Sequence, residues 1–119
     1  AVQHDAVFAS VSHLPHVLAY ALVAQIINAE DAELKLDFAG GGFRDFTRIA
    51  ASSPEMWRDI CLSNREALLR ELTTYEALIG RLKAMIAERD GDALERVFRR
   101  ASQARLAWPQ RTTAINQPE

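Results

Sequence analysis

Apolar side chains recur every three or four residues through most of the chain, which is the spacing of helices that bury one face. The first such stretch runs from Asp5 to Ala29. Within it, Pro15 lacks the amide hydrogen that would bond to the Val11 carbonyl, so we expect the helix to kink or restart there. Either outcome frees a backbone carbonyl beside His13 and His16.

A stronger start signal follows at Ser53-Pro54-Glu55, where a capping hydroxyl precedes a proline and an acid in the first helical turn. Helical spacing then continues to Arg89, and Ser63-Asn64 is the one point at which the pattern allows a break. An unbroken helix over Pro54–Arg89 would measure roughly 54 Å. A compact chain of this length is only about 35 Å across. Because such a helix would overhang its domain with apolar residues exposed, we predict a helical homodimer.

The remaining segments complete an all-α fold, a helical bundle with long helices. A glycine loop at Gly40–Gly42 leads into a short helix over Phe43–Ala51. Asp90-Gly91-Asp92 ends the long helix and caps another. We expect residues 1–108 to form the domain and residues 109–119 to form a flexible tail. Strand-like alternation is missing from the sequence.

Charge and composition exclude several classes of function. The formal net charge is -2, and 14 basic residues are dispersed among 16 acidic ones, so no nucleic-acid partner is expected. The single Cys61 predicts a buried structural thiol in a reducing, cytoplasmic compartment. The apolar run Leu14–Ile27 is too short and too polar to span a membrane. Since no initiator methionine or leader precedes the first helix, we expect a piece of a longer protein.

Two arginines after the three glycines suggest an anion site. Arg44 and Arg48 are four residues apart and share one face of a helix, and a guanidinium binds carboxylate or phosphate in a bidentate manner. The alternative is that both are solvated surface charges paired with Asp45 and Asp59. The three glycines directly before the arginines favour an anion site over solvated surface charges, because a surface helix rarely needs three glycines at its start.

A narrow polar stripe on the first helix comprises His13, His16 and Tyr20. These side chains could serve only in helix packing, or they could provide polar partners for a small acidic ligand. A zinc site is not expected, because it needs three or four protein ligands. His4 lies about half a turn away from His13 around an ideal helix, and no cysteine or carboxylate completes a ligand set with the histidines. Trp57 is either a core or interface residue or the wall of a pocket for an apolar ring.

Several separate motifs occur in the order found in one enzyme family. They are His4-Asp5, Ser12-His13-Leu14-Pro15-His16, Ala39-Gly40-Gly41-Gly42-Phe43-Arg44-Asp45, Thr47-Arg48-Ile49-Ala50 and Ser53-Pro54-Glu55-Met56-Trp57-Arg58-Asp59-Ile60. Over Gln3–Arg105 the chain resembles the C-terminal, dimerising domain of prephenate dehydrogenases and the related arogenate or cyclohexadienyl dehydrogenases of tyrosine biosynthesis.

This resemblance implies NAD- or NADP-dependent oxidation of prephenate with loss of carbon dioxide, which gives 4-hydroxyphenylpyruvate; arogenate would give tyrosine. In the family, an N-terminal Rossmann domain carries the dinucleotide site and the principal catalytic histidine. These 119 residues contain neither, so we expect this chain alone to bind no cofactor or metal and to be inactive. It would supply a homodimer interface and part of a substrate site, with tyrosine as a further ligand.

Each site residue follows from its match to a family motif. The resemblance implies that Arg48 binds a substrate carboxylate and that Arg44 lies near the same pocket. His16 would face the substrate's side chain, with His13 as a neighbour that shapes the pocket. Asp45 and Trp57 match positions that close the site across the dimer interface. The alternative function is a stand-alone helical dimerisation module in which these polar residues are purely structural.

Overall fold

A computed structural model describes residues 2–115, and the described part of the chain contains helices and no strand. This confirms the all-α prediction. Seven α-helices are formed there, and their bounds are α1 (Val2–Phe8), α2 (Leu14–Ile27), α3 (Ala32–Asp37), α4 (Gly41–Thr47), α5 (Pro54–Ser63), α6 (Arg65–Ala87) and α7 (Gly91–Ile115).

The first two helices are joined without interruption by a π-helical turn over Ala9–His13, in which the Leu14 amide donates to the Ala9 carbonyl. Pro15 lies in the first turn of α2, which is one of the two predicted arrangements, but the π turn before it keeps the helical run continuous. The wider π turn offers a physical reason why the proline does not break the helix, because it relieves the clash of an α-helical turn with the proline ring.

The helical run is therefore longer than the apolar segment from which a membrane span was excluded. Gln3–Ile27 comprises 25 residues, and an 18-residue window within it has a mean hydropathy of 1.5, so the helix is long and apolar enough to cross a membrane by length and composition alone. The core helix of a soluble domain satisfies the same criteria. Three of its polar side chains also bond within the chain, namely His13, His16 and Tyr20. The run does not by itself indicate a membrane protein.

The glycine segment begins its helix earlier than predicted. Gly40 is the N-cap of α4, and Gly41 and Gly42 are its first residues. None of the described glycines has a positive φ, and a Cβ added to any of these three would meet no atom within 4 Å. The prediction that Gly40–Gly42 form a loop before the helix is therefore wrong for Gly41 and Gly42, and none of the three needs a conformation that favours glycine. The short helix also changes character, because it continues after Thr47 as a 3-10 turn over Arg48–Ala51.

The predicted start at Ser53 is confirmed, since the Ser53 hydroxyl accepts a hydrogen bond of 3.2 Å from the Met56 amide. The long helix, however, is broken at Asn64, whose φ and ψ of -110° and 38° are not helical. The unbroken helix of roughly 54 Å is therefore not formed. Its longer part, α6, has 23 residues and measures about 34 Å.

The last helix begins as predicted, because the Asp90 carboxylate accepts a hydrogen bond of 3.0 Å from the Ala93 amide. Helix α7 continues to Ile115, so part of the expected tail is helical. Residues 116–119 of that tail lie outside the described residues. The flexible tail over 109–119 stays a prediction.

The described residues belong to two units, Ala1–Tyr75 and Glu76–Glu119. Where burial is described, over residues 3–108, the buried hydrophobic residues all lie in the first unit and are Ala9, Ala19, Trp57, Ala67 and Leu68. Cys61, expected to be buried, is half-buried because it lines an open cavity at the surface. Burial raises the pKa of its thiol, which disfavours the reactive thiolate.

Candidate functional site

The two predicted histidines pack against one tryptophan. The His16 ring stacks on the Trp57 ring with centroids 3.7 Å apart and planes inclined by 14°. The His13 ring meets the same indole edge-on at 6.0 Å. Trp57 is 9% exposed, so contacts within its own chain bury the indole. These three side chains form the aromatic part of the site.

The two histidines have different hydrogen-bond partners. His16 Nδ1 is 2.9 Å from the Ser12 carbonyl oxygen, and because a carbonyl can only accept, Nδ1 carries the hydrogen. The side-chain nitrogen of Asn64 lies 3.1 Å from His13 Nδ1 and donates to the Asp5 carbonyl at 2.9 Å. Asn64 was not among the predicted site residues. The only local signal for it was the break in the helical pattern.

His13 also differs electrostatically from an exposed histidine. Burial lowers its pKa below the ordinary histidine value, the neighbouring His16 lowers it further, and Asp5 acts in the opposite sense. A positive charge on His13 is disfavoured by loss of hydration and by repulsion. The imidazole is therefore suited to act as a neutral hydrogen-bonding group near pH 7.

The arginines lie at a second place. Arg44, Asp45 and Arg48 line an open cavity of about 610 Å³. All three side chains are exposed. The other lining residues are largely apolar and come from α3, the loop before α4, α4 and the 3-10 turn; they are Leu36, Ala39, Phe43, Thr47 and Ala51.

Neither arginine has an ion pair within the described residues. The ion pairs formed there join Lys35 to Asp31, Arg58 to Asp59 and Arg99 to Glu95. Asp59, one of the two acids considered as partners for the arginines, is thus paired with its neighbour Arg58. Two guanidinium groups remain available at the arginine cavity, which favours an anion site over paired surface charges.

The histidines and arginines do not line a common cavity in one copy of the chain. His13 lines a cavity of about 540 Å³ together with Phe8, Met56 and Asn64 among others. The link between the two sets is Tyr20 on α2, whose hydroxyl donates to the Ser52 carbonyl at 2.8 Å. This bond fixes the segment after Arg48 against the helix that carries His16. The closing roles of Asp45 and Trp57 across an interface stay predictions.

The described residues offer neither a metal site nor a dinucleotide fold. They include no group of three or more histidine, cysteine or carboxylate side chains able to hold a metal ion. The glycine segment follows helix α3 rather than a strand, whereas a dinucleotide loop joins a strand to a helix. The expectation that this chain alone binds no cofactor stays a prediction.

Comparisons with known proteins agree on one family. The model of the family described as prephenate dehydrogenase, dimerization domain, matches residues 1–100. A cyclohexadienyl dehydrogenase from Zymomonas mobilis is 43% identical over 109 residues, which are 90% of this chain and 37% of that protein. A prephenate dehydrogenase from Bacillus subtilis is 40% identical over 110 residues, which are 92% of this chain and 30% of that protein.

Solved structures show the same relationship. Synechocystis arogenate dehydrogenase matches with a TM-score of 0.83 and 28% identity, over 89% of this chain and 39% of that one. Prephenate dehydrogenase from A. aeolicus, in complex with hydroxyphenyl propionate and NAD+, matches with a TM-score of 0.81 and 39% identity, over 88% of this chain and 37% of that one. This chain thus spans about a third of the length of these relatives.

Proposed function

Because this chain belongs to the prephenate dehydrogenase family and matches its dimerization domain, we propose that it is the helical, substrate-holding part of a dehydrogenase of tyrosine biosynthesis. The resemblance seen in the sequence motifs is confirmed by the family match. The complete enzyme would oxidise prephenate and release carbon dioxide to give 4-hydroxyphenylpyruvate. Aromatisation of the ring would drive that reaction.

The observation that carries the proposal is the arginine cavity. Arg44 and Arg48 are exposed beside each other without an ion pair among the described residues. Prephenate is a dicarboxylate, and each carboxylate can accept two parallel hydrogen bonds from a guanidinium. We assign a substrate carboxylate to Arg48 and a supporting position to Arg44. The apolar lining from Leu36 and Phe43 would face the carbon skeleton.

The histidines would supply polar contacts to the same substrate. His16 is held by its Nδ1 bond and by stacking on Trp57, so its ring has a fixed orientation. We assign it to the substrate's side chain, with His13 shaping the pocket next to it. Asp45 and Trp57 would close the site in the homodimer.

Hydride transfer would belong to a Rossmann domain elsewhere in the complete protein. NAD+ or NADP+ bound to that domain would accept the hydride from the ring carbon that bears the hydroxyl. This chain would hold the carboxylates and orient the ring, and we expect no turnover from it alone. A spectrophotometric assay with either cofactor tests that expectation. We place the enzyme in the cytoplasm, like other biosynthetic dehydrogenases that draw on soluble cofactor.

Arogenate is the competing substrate. One relative is a cyclohexadienyl dehydrogenase and one structural neighbour is an arogenate dehydrogenase, and arogenate differs from prephenate in carrying an amino group on its side chain. The ring carboxylate is common to both compounds. Arg48 would therefore serve either substrate, and the histidines near the side chain would discriminate between them. Tyrosine shares the side chain of arogenate and is proposed as a feedback ligand.

Isothermal titration calorimetry with prephenate, arogenate and tyrosine tests the carboxylate site. A hydrogen bond to a charged group contributes about 1.5 to 3 kcal/mol, so Arg48→Ala should weaken binding about 10- to 140-fold. Arg96→Ala, which removes an exposed arginine from α7, should leave binding unchanged. Equal affinity of the wild type and Arg48→Ala would refute the assignment. Absence of binding at millimolar concentration would favour a purely dimerising module.

A further inference from the structure

Asn64 joins three parts of the first unit at the break between α5 and α6. Its backbone leaves the helical conformation, and its half-buried side chain reaches residues more than fifty positions earlier in the chain. The side-chain nitrogen lies 2.9 Å from the Asp5 carbonyl oxygen and 3.1 Å from His13 Nδ1. The amide thus fastens the first helix and the His13 ring to the start of α6.

The Asp5 bond determines how the Asn64 amide is oriented. A carbonyl oxygen only accepts hydrogen bonds, so the atom facing it must be the NH₂ group and not the amide oxygen. The same nitrogen faces His13 Nδ1, and an amide nitrogen has hydrogens to donate but does not accept. His13 Nδ1 must therefore provide a lone pair. In a neutral imidazole the single hydrogen is then on Nε2.

His16 has the opposite arrangement. Its Nδ1 donates to the Ser12 carbonyl, so in the neutral ring Nε2 has the lone pair. We propose that Asn64 is a positioning residue that holds His13 as the neutral, Nε2-protonated tautomer, so that His13 offers a hydrogen-bond donor where His16 offers an acceptor. The ligand side of this proposal rests on the proposed function, because a substrate that carries hydroxyl and carboxylate oxygens needs both kinds of partner.

The charged surroundings of His13 are mixed. Asp5 on α1 favours a positive ring, and His16 on α2 opposes it. Asp59 on α5 lines the same cavity, and Arg65 and Glu66 at the start of α6 line the adjacent one. Protonation of Nδ1 would place two donors face to face across the Asn64 contact. The Asn64 amide thus works with burial to keep His13 neutral.

Nuclear magnetic resonance of ¹⁵N-labelled, ligand-free protein tests the proposal. The imidazole nitrogen shifts of His13, assigned by loss of its signals in His13→Gln, should show a protonated Nε2 and an unprotonated Nδ1. His16 should show a protonated Nδ1, the less common form. A protonated Nδ1 on neutral His13 would overturn the proposal.

Titration of the same signals separates positioning from a merely structural role. Removing the donor in Asn64→Ala should raise the pKa of His13, and the carboxylate of Asn64→Asp should raise it further by stabilising the charged ring. Asn28→Ala, which removes an asparagine that also caps the end of a helix, should leave the His13 titration unchanged. If Asn64→Ala does not fold, the pKa of His13 in Asn64→Asp alone decides whether Asn64 controls the protonation of His13.

An unchanged His13 titration in the folded Asn64 variants would reduce Asn64 to a helix cap and refute the positioning role. The measurement needs no substrate, so it can fail while the calorimetric test of Arg48 succeeds, and the reverse is equally possible.

Discussion

His13 and His16 show how two identical side chains three residues apart acquire different properties. The tautomer of His16 is set locally, because its partner is the carbonyl of a residue four positions earlier. The state of His13 depends on Asn64, which is 51 positions away. The histidine pair could be found from the sequence by its spacing. The tautomers could not, because the decisive partner is brought in by tertiary packing.

The lowered pKa of His13 predicts a specific loss of stability in acid. The unfolded chain takes up a proton at the ordinary histidine value near pH 6.5, whereas the folded chain resists protonation until the pH falls below its lowered pKa. The free energy of unfolding should therefore decrease as the pH is lowered from about 7 to about 5.

In His13→Gln this decrease should be smaller, as measured by urea unfolding across the same pH range. At about pH 8 the ring is neutral in both states, so any difference between the variant and the wild type there reports lost contacts alone. Identical pH profiles for the two proteins would contradict the role given to His13.

At the scale of helices, the starts of α5 and α7 could be predicted from the sequence, whereas the break at Asn64 could be predicted only in part. The Ser53 and Asp90 caps are bonds between residues three positions apart, so a short stretch of sequence contains all of their determinants. The position of the Asn64 break could be foreseen but not its occurrence, because the bonds to Asp5 and His13 that accompany it are distant. The loop predicted from the three glycines is wrong for a local reason, because Gly40–Gly42 adopt backbone conformations that any residue can adopt.

The end of α6 presents a residue in an unfavourable conformation. Arg89 has a φ of 59° and is the one described non-glycine residue with a positive φ. The Asp90 amide donates to the Met85 carbonyl at 2.8 Å, which closes a turn of the type in which glycine usually occupies the left-handed position. The glycine nearby, Gly91, instead begins α7.

Arg89→Gly should therefore raise the free energy of unfolding by about 1 kcal/mol, because a side chain in the left-handed region costs roughly that amount. Chemical denaturation monitored by circular dichroism measures it. Gly91→Ala is the matched control and should not destabilise, since Gly91 has no positive φ and an added Cβ would meet no neighbouring atom. Lower stability of Arg89→Gly would show that the arginine side chain makes a compensating contribution.

At the scale of the whole molecule, exposed apolar side chains occur in both units. The first unit exposes Phe38 to 82% and Leu62 to 66%, and in the second Phe98 and Leu106 on α7 are 56% and 74% exposed. The matching family model describes a dimerization domain, so a second copy of the chain is the expected partner for such faces. The sequence predicted the homodimer from an overlong helix, but that helix is broken at Asn64. The homodimer is now expected because of the exposed apolar side chains and the match to a dimerization domain.

Helix α7 carries a groove lined by Leu94, Phe98 and Leu106 among others, and we expect this groove to form part of the dimer surface. Phe98→Asp would place a charge where apolar burial is needed, so sedimentation equilibrium at micromolar concentration should give a dimer for the wild type and a shift toward monomer for the variant. Ala104→Asp adds the same charge at an exposed position that does not line the groove and should leave the dimer intact. A monomeric wild type would contradict the interface.

The π turn over Ala9–His13 sets the angular phase between the two ends of the first helical run. Each residue advances an α-helix by about 100°, so deleting one residue from this turn would rotate Asp5 by about that angle relative to His16. The Asp5 carbonyl would then point away from Asn64, although every side chain of the site would still be present. Register along one helix is thus as much a requirement of this site as the identity of its residues, and a single-residue gap in a relative at this point would mark a site that is built differently.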